Sequence, residues 1–151
     1  MIENNIDQGP KTITFTLPKT GYSNFAPLNI DESLIPFDGL SFYVMRLAKV
    51  IVVHPKGDIF IGRSVEVDSW NPQVNLAELD RFASSVSRRH AMIRPLKRGY
   101  EITDLMSTNG TWLNDHRLVP YKTYPLASGA QLSIGKELLM VIYHSKDLHN
   151  A

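Results

Sequence analysis

Cysteine is absent from all 151 positions. That excludes disulfides, iron–sulfur clusters and thiolate zinc sites, and it fits a reducing compartment. A charge excess is also missing: 16 Lys and Arg face 15 Asp and Glu, for a net charge of +1. The field of the whole chain therefore selects neither nucleic acid nor membrane, and any anion site has to be local. No long basic stripe with interleaved aromatics is present. The longest apolar run, Leu138–Tyr143, falls far short of the roughly 20 residues that a spanning helix needs. The first residues, Met1-Ile2-Glu3-Asn4-Asn5, carry no basic n-region and no cleavable apolar stretch. A cytoplasmic setting is the expectation, although a fragment of a longer protein would read the same way.

Catalytic signatures are missing as well. Ser87, His90 and Asp104 allow a hydrolase triad to be imagined, but no Gly-x-Ser-x-Gly elbow or separate oxyanion donor accompanies them. The five His residues lack the i, i+4 spacing of a helical zinc pair, and the carboxylates are scattered. No enzyme activity, cofactor or metal is expected.

What is there is an ordinary globular balance, 43% hydrophobic and 21% charged, on a length that suits one domain with a real core. Residues up to about 39 read as an N-terminal extension, extended or partly ordered. Thr12–Leu17 alternates like a strand that could dock on the domain or pair with another chain. Pro18, Pro27 and Pro36, with Gly21 and Asn24, then break the segment. From there to residue 146 the texture is short β-runs. Candidate strands are Ser41–Ala48, Val50–His54, Asp58–Arg63, Val74–Leu79, His90–Pro95, Gly99–Asp104, Thr111–Leu113, Gln131–Ile134 and Leu138–His144. Turn residues separate them, as at Pro55-Lys56-Gly57, Lys97-Arg98-Gly99, Ser107–Gly110, Asn114-Asp115 and Ser128-Gly129. This spacing predicts an all-β sandwich or barrel. Leu76–Ala83 comes nearest to a helical period, but it is short and uncapped. Residues 147–151 read as a C-terminal tail.

Four segments fall near predicted strand ends: Ile61–Ser64, Ser87–Ala91, Asp104–Thr111 and Leu132–Gly135. In this order and spacing they resemble the forkhead-associated (FHA) domain, the likeness running from about Ser41 to Tyr143. The resemblance implies a two-sheet β-sandwich of about eleven strands (FHA/SMAD-like) whose loops at one end bind phosphothreonine peptides. It implies that Arg63 contacts phosphate, that Ser87 supplies it a hydroxyl, and that Arg88 faces it from the next position. Thr108 adds a phosphate contact and Asn109 hydrogen-bonds the peptide main chain. His90 braces the loops without touching ligand, while Gly62 and Gly110 support the site.

The residue chemistry agrees with those roles. A phosphothreonine carries about −1.5 to −2 charge at pH 7 and suits guanidinium, hydroxyl and amide donors. Asn109 offers both a donor and an acceptor to a peptide backbone, and Gly110 permits the positive φ of many Asn-Gly turns. Taken singly, each has a plainer reading. Asn109-Gly110 is a hairpin turn, Arg63 a solvated strand-end charge, Ser87 a turn cap, Arg88-Arg89 a surface pair, and His90 a structural histidine. Arg89 is expected to project away from the pocket, and Asp104 to bond to backbone.

The segment Ser64–Val86 is somewhat long for the family, so the loop before Ser87 is expected to reach toward the ligand or to cover part of its groove. Arg81, Arg94 and Asn114 are candidate rim contacts. The implied partner is a phosphothreonine-containing protein, recognised in signalling or assembly. A second copy of this chain, phosphorylated at Thr14, Thr16 or Thr20, is a further candidate. Neither nucleic acid nor membrane is expected. The alternative function is a phosphate-independent interaction or assembly module on the same fold.

Overall fold

A computed structural model of the chain describes residues 12–15, 28–64, 70–77 and 79–145. Thr16, Leu17, Pro18, Thr20, Gly21, Asn24, Pro27 and the tail at 147–151 lie outside the described residues. The strands are β1 (Thr12–Phe15), β2 (Leu28–Asp31), β3 (Leu40–Val44), β4 (Lys49–Val53), β5 (Ile59–Gly62), β6 (Val74–Asn75) and β7 (Arg89–Pro95). There follow β8 (Tyr100–Asp104), β9 (Thr111–Leu113), β10 (His116–Arg117), β11 (Thr123–Leu126), β12 (Gln131–Ile134) and β13 (Glu137–Ile142). One main sheet has the order β10-β9-β12-β13-β3-β4 and the other β11-β8-β7-β5-β6, while β1 and β2 form a small antiparallel pair. The two main sheets hold eleven strands, as expected of the sandwich. Two short 3-10 turns, Glu32–Leu34 and Asp80–Ser85, interrupt them.

Alternation explains the layering. Ile59 and Ile61 on β5, Ala91 and Ile93 on β7, and Ile102 on β8 point inward. They meet Leu40, Phe42 and Val44 of β3, Leu132 and Ile134 of β12, and Leu139 and Val141 of β13 from the other sheet. In a strand, side chains two apart share a face, so one register places a whole set in the core.

The run Leu138–Tyr143 departs from simple alternation for a structural reason. Leu139 and Val141 face the inter-sheet core, while Met140 and Ile142 face outward and are buried by Ile30 of β2 and Ile35. A strand covered on both faces needs apolar residues at consecutive positions. Ile30 and Ile35 thus pack on the outside of the six-stranded sheet, so the described end of the expected extension, residues 28–39, belongs with the folded body. β1 is its outer partner, with Thr12 opposite Asp31 and Phe15 opposite Leu28.

Several expectations on element limits need correction. Ser41–Ala48 ends as a strand at Val44, because residues 45–48 turn, with Ala48 at φ 50°. Val74–Leu79 contributes only the two residues of β6, parallel to β5. Leu76–Ala83, which was not expected to be helical, shows no α-helix among its described residues; a 3-10 turn sits later, at Asp80–Ser85, with no side-chain cap bond. β2, β10 and β11 were not expected as strands. β11 contains Pro125, which is tolerated because β11 lies at a sheet edge. β10 is too short to show a period.

Among the described residues no helix is long and apolar enough to cross a membrane. No group of three or more His, Cys, Asp or Glu among them could hold a metal ion.

Candidate binding site

The four segments singled out in the sequence converge at one end of the sandwich. They occupy the end of β5, the approach to β7, the β8–β9 loop and the β12–β13 turn. Each touches the next through named bonds.

Gly62 closes β5 so tightly against the second segment that a Cβ there would lie 1.9 Å from the carbonyl oxygen of Arg88. The register between β5 and β7 shifts at this point, which brings Gly62 opposite Arg89. The next residue is thereby held against the same loop. Arg63 donates from its main-chain N to Arg88 O at 3.2 Å, and from Nε to Val86 O at 2.9 Å. Its Nε is used to fix the side chain.

The second and third segments are joined by Ser87 and His90. Ser87 Oγ accepts from the Thr108 main-chain N–H at 3.0 Å, which leaves its own hydroxyl proton to donate elsewhere. His90 is fully buried. Its Nδ1 lies 3.0 Å from the Ser87 main-chain N, which can only donate, and its Nε2 lies 2.8 Å from Gly110 O, which can only accept. These partners require a neutral ring with the proton on Nε2. Burial pushes the His90 pKa below its usual 6.5, against the smaller opposing effects of the bond to Gly110 and the charge of Asp104.

The β8–β9 loop is anchored beneath by Asp104, which is 1% exposed and so has only protein donors. Its Oδ1 accepts from Ser107 Oγ and Thr111 Oγ1, each at 2.6 Å, and its Oδ2 accepts from Ser107 N at 3.2 Å. The expected backbone bond is present, with two hydroxyls added. Above this anchor Met106 (φ 60°) and Gly110 (φ 86°) adopt left-handed conformations, and Thr108 and Asn109 are exposed between them. Asn109 Nδ2 donates to Ser85 O at 2.9 Å, which holds the amide in place.

Ser85 and the β12–β13 turn complete the ring, and sequence reasoning gave neither a role. Ser85 Oγ accepts from Lys136 N at 2.9 Å. A Cβ at Gly135 would lie 2.3 Å from Ser85 O, and Gly135 N donates to Gly110 O at 3.2 Å. Gly110 O thus receives both His90 and Gly135. No local pattern marks Ser85, because its partners lie 24 and 51 residues away.

The structure therefore brings Arg63, Ser87, Arg88, Thr108 and Asn109 to one rim, with Gly62, His90 and Gly110 beneath. The rim candidates fare differently. Arg94 lies at the other end of β7 and pairs with Asp58 at 3.2 Å. Asn114 is a turn residue whose Oδ1 accepts from Gln131 N at 2.9 Å. The Arg81 side chain lies outside the described residues. Arg89 is exposed, and its guanidinium sits 4.9 Å from the ring centre of Trp70. Among the described residues, Arg46 and Arg94 form ion pairs with carboxylates, His54 Nδ1 lies 2.9 Å from Asp38 Oδ1, and no such pair forms at Arg63, Arg88, Arg89 or Arg117. No carboxylate among the described residues thus pairs with the arginines at the loop end.

The imagined triad is absent. His90 meets the main chain of Ser87 and not its hydroxyl, and Asp104 bonds Ser107 and Thr111.

Residues 59–135 match the family model described as the FHA domain. The oxoglutarate dehydrogenase inhibitor of Corynebacterium diphtheriae is 32% identical over 107 residues, which cover 71% of this chain and 59% of that protein. The E3 ubiquitin-protein ligase rnf8-A of Xenopus laevis is 39% identical over 51 residues, 33% of this chain and 9% of that protein. The matched segments thus span less than two-thirds of either curated relative. A structure solved in work on phosphothreonine-dependent FHA domain interactions superposes with TM-score 0.55 at 26% identity, covering 70% of this chain and 97% of that one.

Proposed function

This chain belongs to the FHA domain family, and from that premise we propose that it binds phosphothreonine-containing segments of other proteins, as an adaptor in signalling or assembly. The observation that carries the reading is the shared rim. Arg63, Ser87, Arg88, Thr108 and Asn109 come from three separate segments, and His90, Asp104 and Gly62 hold those segments together.

The roles follow from the bonding. Arg63, fixed through Nε to Val86 O, presents its remaining guanidinium donors to a phosphate oxygen. Arg88, exposed and without an ion pair among the described residues, adds a second positive charge. Ser87 donates its hydroxyl proton, since its oxygen already accepts from Thr108. Thr108 adds its own hydroxyl. Asn109, held by Ser85, turns its amide oxygen to a peptide N–H. Charge-assisted bonds of this kind contribute roughly 1.5–3 kcal/mol each, so three or four suffice for micromolar affinity after association costs. The FHA domain is a binding module, and the chain acts by recognition and not by catalysis.

The test is an oriented phosphothreonine peptide library screened against wild type and Arg63→Ala. Selection by wild type that disappears in the variant is the expected result. Equal binding of a partner by both proteins would establish the phosphate-independent reading instead.

A second copy of this chain is one candidate partner. Thr14 is exposed on β1, with its hydroxyl donating to Asn29 Oδ1 at 2.8 Å. Sizing of kinase-treated protein tests it, and an unchanged mass would count against self-recognition.

A further inference from the structure

We propose that Arg117, carried on the face of Trp112, forms a subsite beside the phosphothreonine rim for an acidic side chain of the bound peptide. The inference rests on the phosphothreonine reading and specifies its ligand: a segment with Asp or Glu flanking the modified threonine.

The placement comes from strand register. β10 runs antiparallel to β9, and Arg117 lies directly opposite Trp112. Directly opposed residues project from the same face of a sheet, and the guanidinium carbon of Arg117 accordingly sits 5.1 Å from the Trp112 ring centre. The chain then returns toward the loop, since Leu118 N donates to Thr111 O. Gly110 fixes the distance to the rim. A Cβ there would lie 2.9 Å from Arg117 Nε and 3.0 Å from two carbons of the Trp112 ring. The stacked pair therefore abuts the backbone one residue from Asn109.

The chemistry follows from how the guanidinium is used. Stacking engages its flat face and leaves its N–H edge for hydrogen bonds. That edge is a planar fork that matches a carboxylate. Arg46 and Arg94 already spend theirs on Glu137 and Asp58. Arg117 is exposed and has no such partner among the described residues. Holding the side chain on the ring also lowers the entropy cost of fixing it when a ligand arrives.

The experiment uses the full chain and a set of fluorescent phosphothreonine peptides with alanine flanks. Glu or Lys is placed singly at each of the three positions on either side. Affinities are measured for wild type, Arg117→Gln and Arg117→Glu, with thermal melts to confirm folding. At one flanking position wild type should prefer Glu over Lys by about five- to tenfold, the scale of an exposed charge pair set against a repulsive one. Arg117→Gln should abolish that preference and Arg117→Glu should invert it. Affinity for the alanine-flanked phosphopeptide should stay within about twofold in Arg117→Gln, because the phosphate contacts are untouched. Phosphopeptide binding by wild type with no Glu preference, or a preference that survives in Arg117→Gln, overturns the subsite alone. Failure of wild type to distinguish phosphorylated from unphosphorylated peptide overturns the phosphothreonine reading and the subsite with it.

Discussion

Replacing Asp104 by Ala removes the acceptor of three hydrogen bonds at once: Ser107 N–H, Ser107 O–H and Thr111 O–H. The three donors do not suffer equally. Thr111 is fully buried, so its hydroxyl loses a charged acceptor and cannot reach water, at a cost of about 1–3 kcal/mol. Ser107 is half-buried and can be resolvated, so its two bonds are worth about 0.5–1 kcal/mol each. The sum is about 2–5 kcal/mol, a large fraction of the stability of a domain this size.

Urea unfolding followed by far-ultraviolet circular dichroism and by the fluorescence of Trp70 and Trp112 measures it. Asp104→Asn should cost less, about 1–2 kcal/mol, since one oxygen can still serve both hydroxyls while the new NH₂ opposes Ser107 N–H. The double variant Asp104→Ala/Thr111→Val removes the stranded hydroxyl together with its acceptor. It should recover about 1 kcal/mol relative to Asp104→Ala. An Asp104→Ala protein within about 0.5 kcal/mol of wild type, or a double variant that shows simple additivity, would refute the claim that this carboxylate holds the loop.

Two further predictions concern the joints between loops. Gly62→Ala would place a Cβ 1.9 Å from Arg88 O and 2.8 Å from Arg88 C, so backbone has to move; stability should fall by about 1–3 kcal/mol, with amide NMR shifts concentrated near residues 62–63 and 86–90. Gly57→Ala, where nothing lies within 4 Å, serves as the control and should change stability by less than about 0.5 kcal/mol. His90 gives a pH signature of defined sign. Its folded pKa is depressed from 6.5 by burial, so the unfolded chain takes up the proton first. The contribution of His90 is present in full above 6.5 and is lost as pH falls from there toward the folded value. Unfolding free energy measured across that window should decline in wild type more steeply than in His90→Gln; parallel curves would show that His90 is not kept neutral.

The sequence by itself determined the fold class and supplied the candidates for the site. Alternation in segments such as Ile59–Gly62 and His90–Pro95 reports directly which face is buried, because the side-chain period of a strand is two. Turn residues such as Asn109-Gly110 and Ser128-Gly129 mark where those strands stop. The four motifs supplied Arg63, Ser87, Arg88, Thr108 and Asn109 in their order. Taken singly these residues read as ordinary turn and surface positions, and it was the resemblance of the four motifs together that singled them out.

Tertiary structure alone decided the partners. Nothing near Ser85 signals that Lys136 and Asn109 will bond to it, and nothing near Arg117 signals the Trp112 ring and Gly110. Nor could the pattern of Leu138–Tyr143 say whether its second face meets water or another layer. Burial of Met140 and Ile142 depends on Ile30 and Ile35, more than a hundred residues earlier. The loop Ser107–Thr111 is legible as a turn from its own residues. Its shape comes from Asp104 below, Ser87 and His90 on one side, and Gly135 through Gly110 on the other. Those contacts exist only once strand register has brought distant segments to one end of the sandwich, and register is a property of the packed sheets.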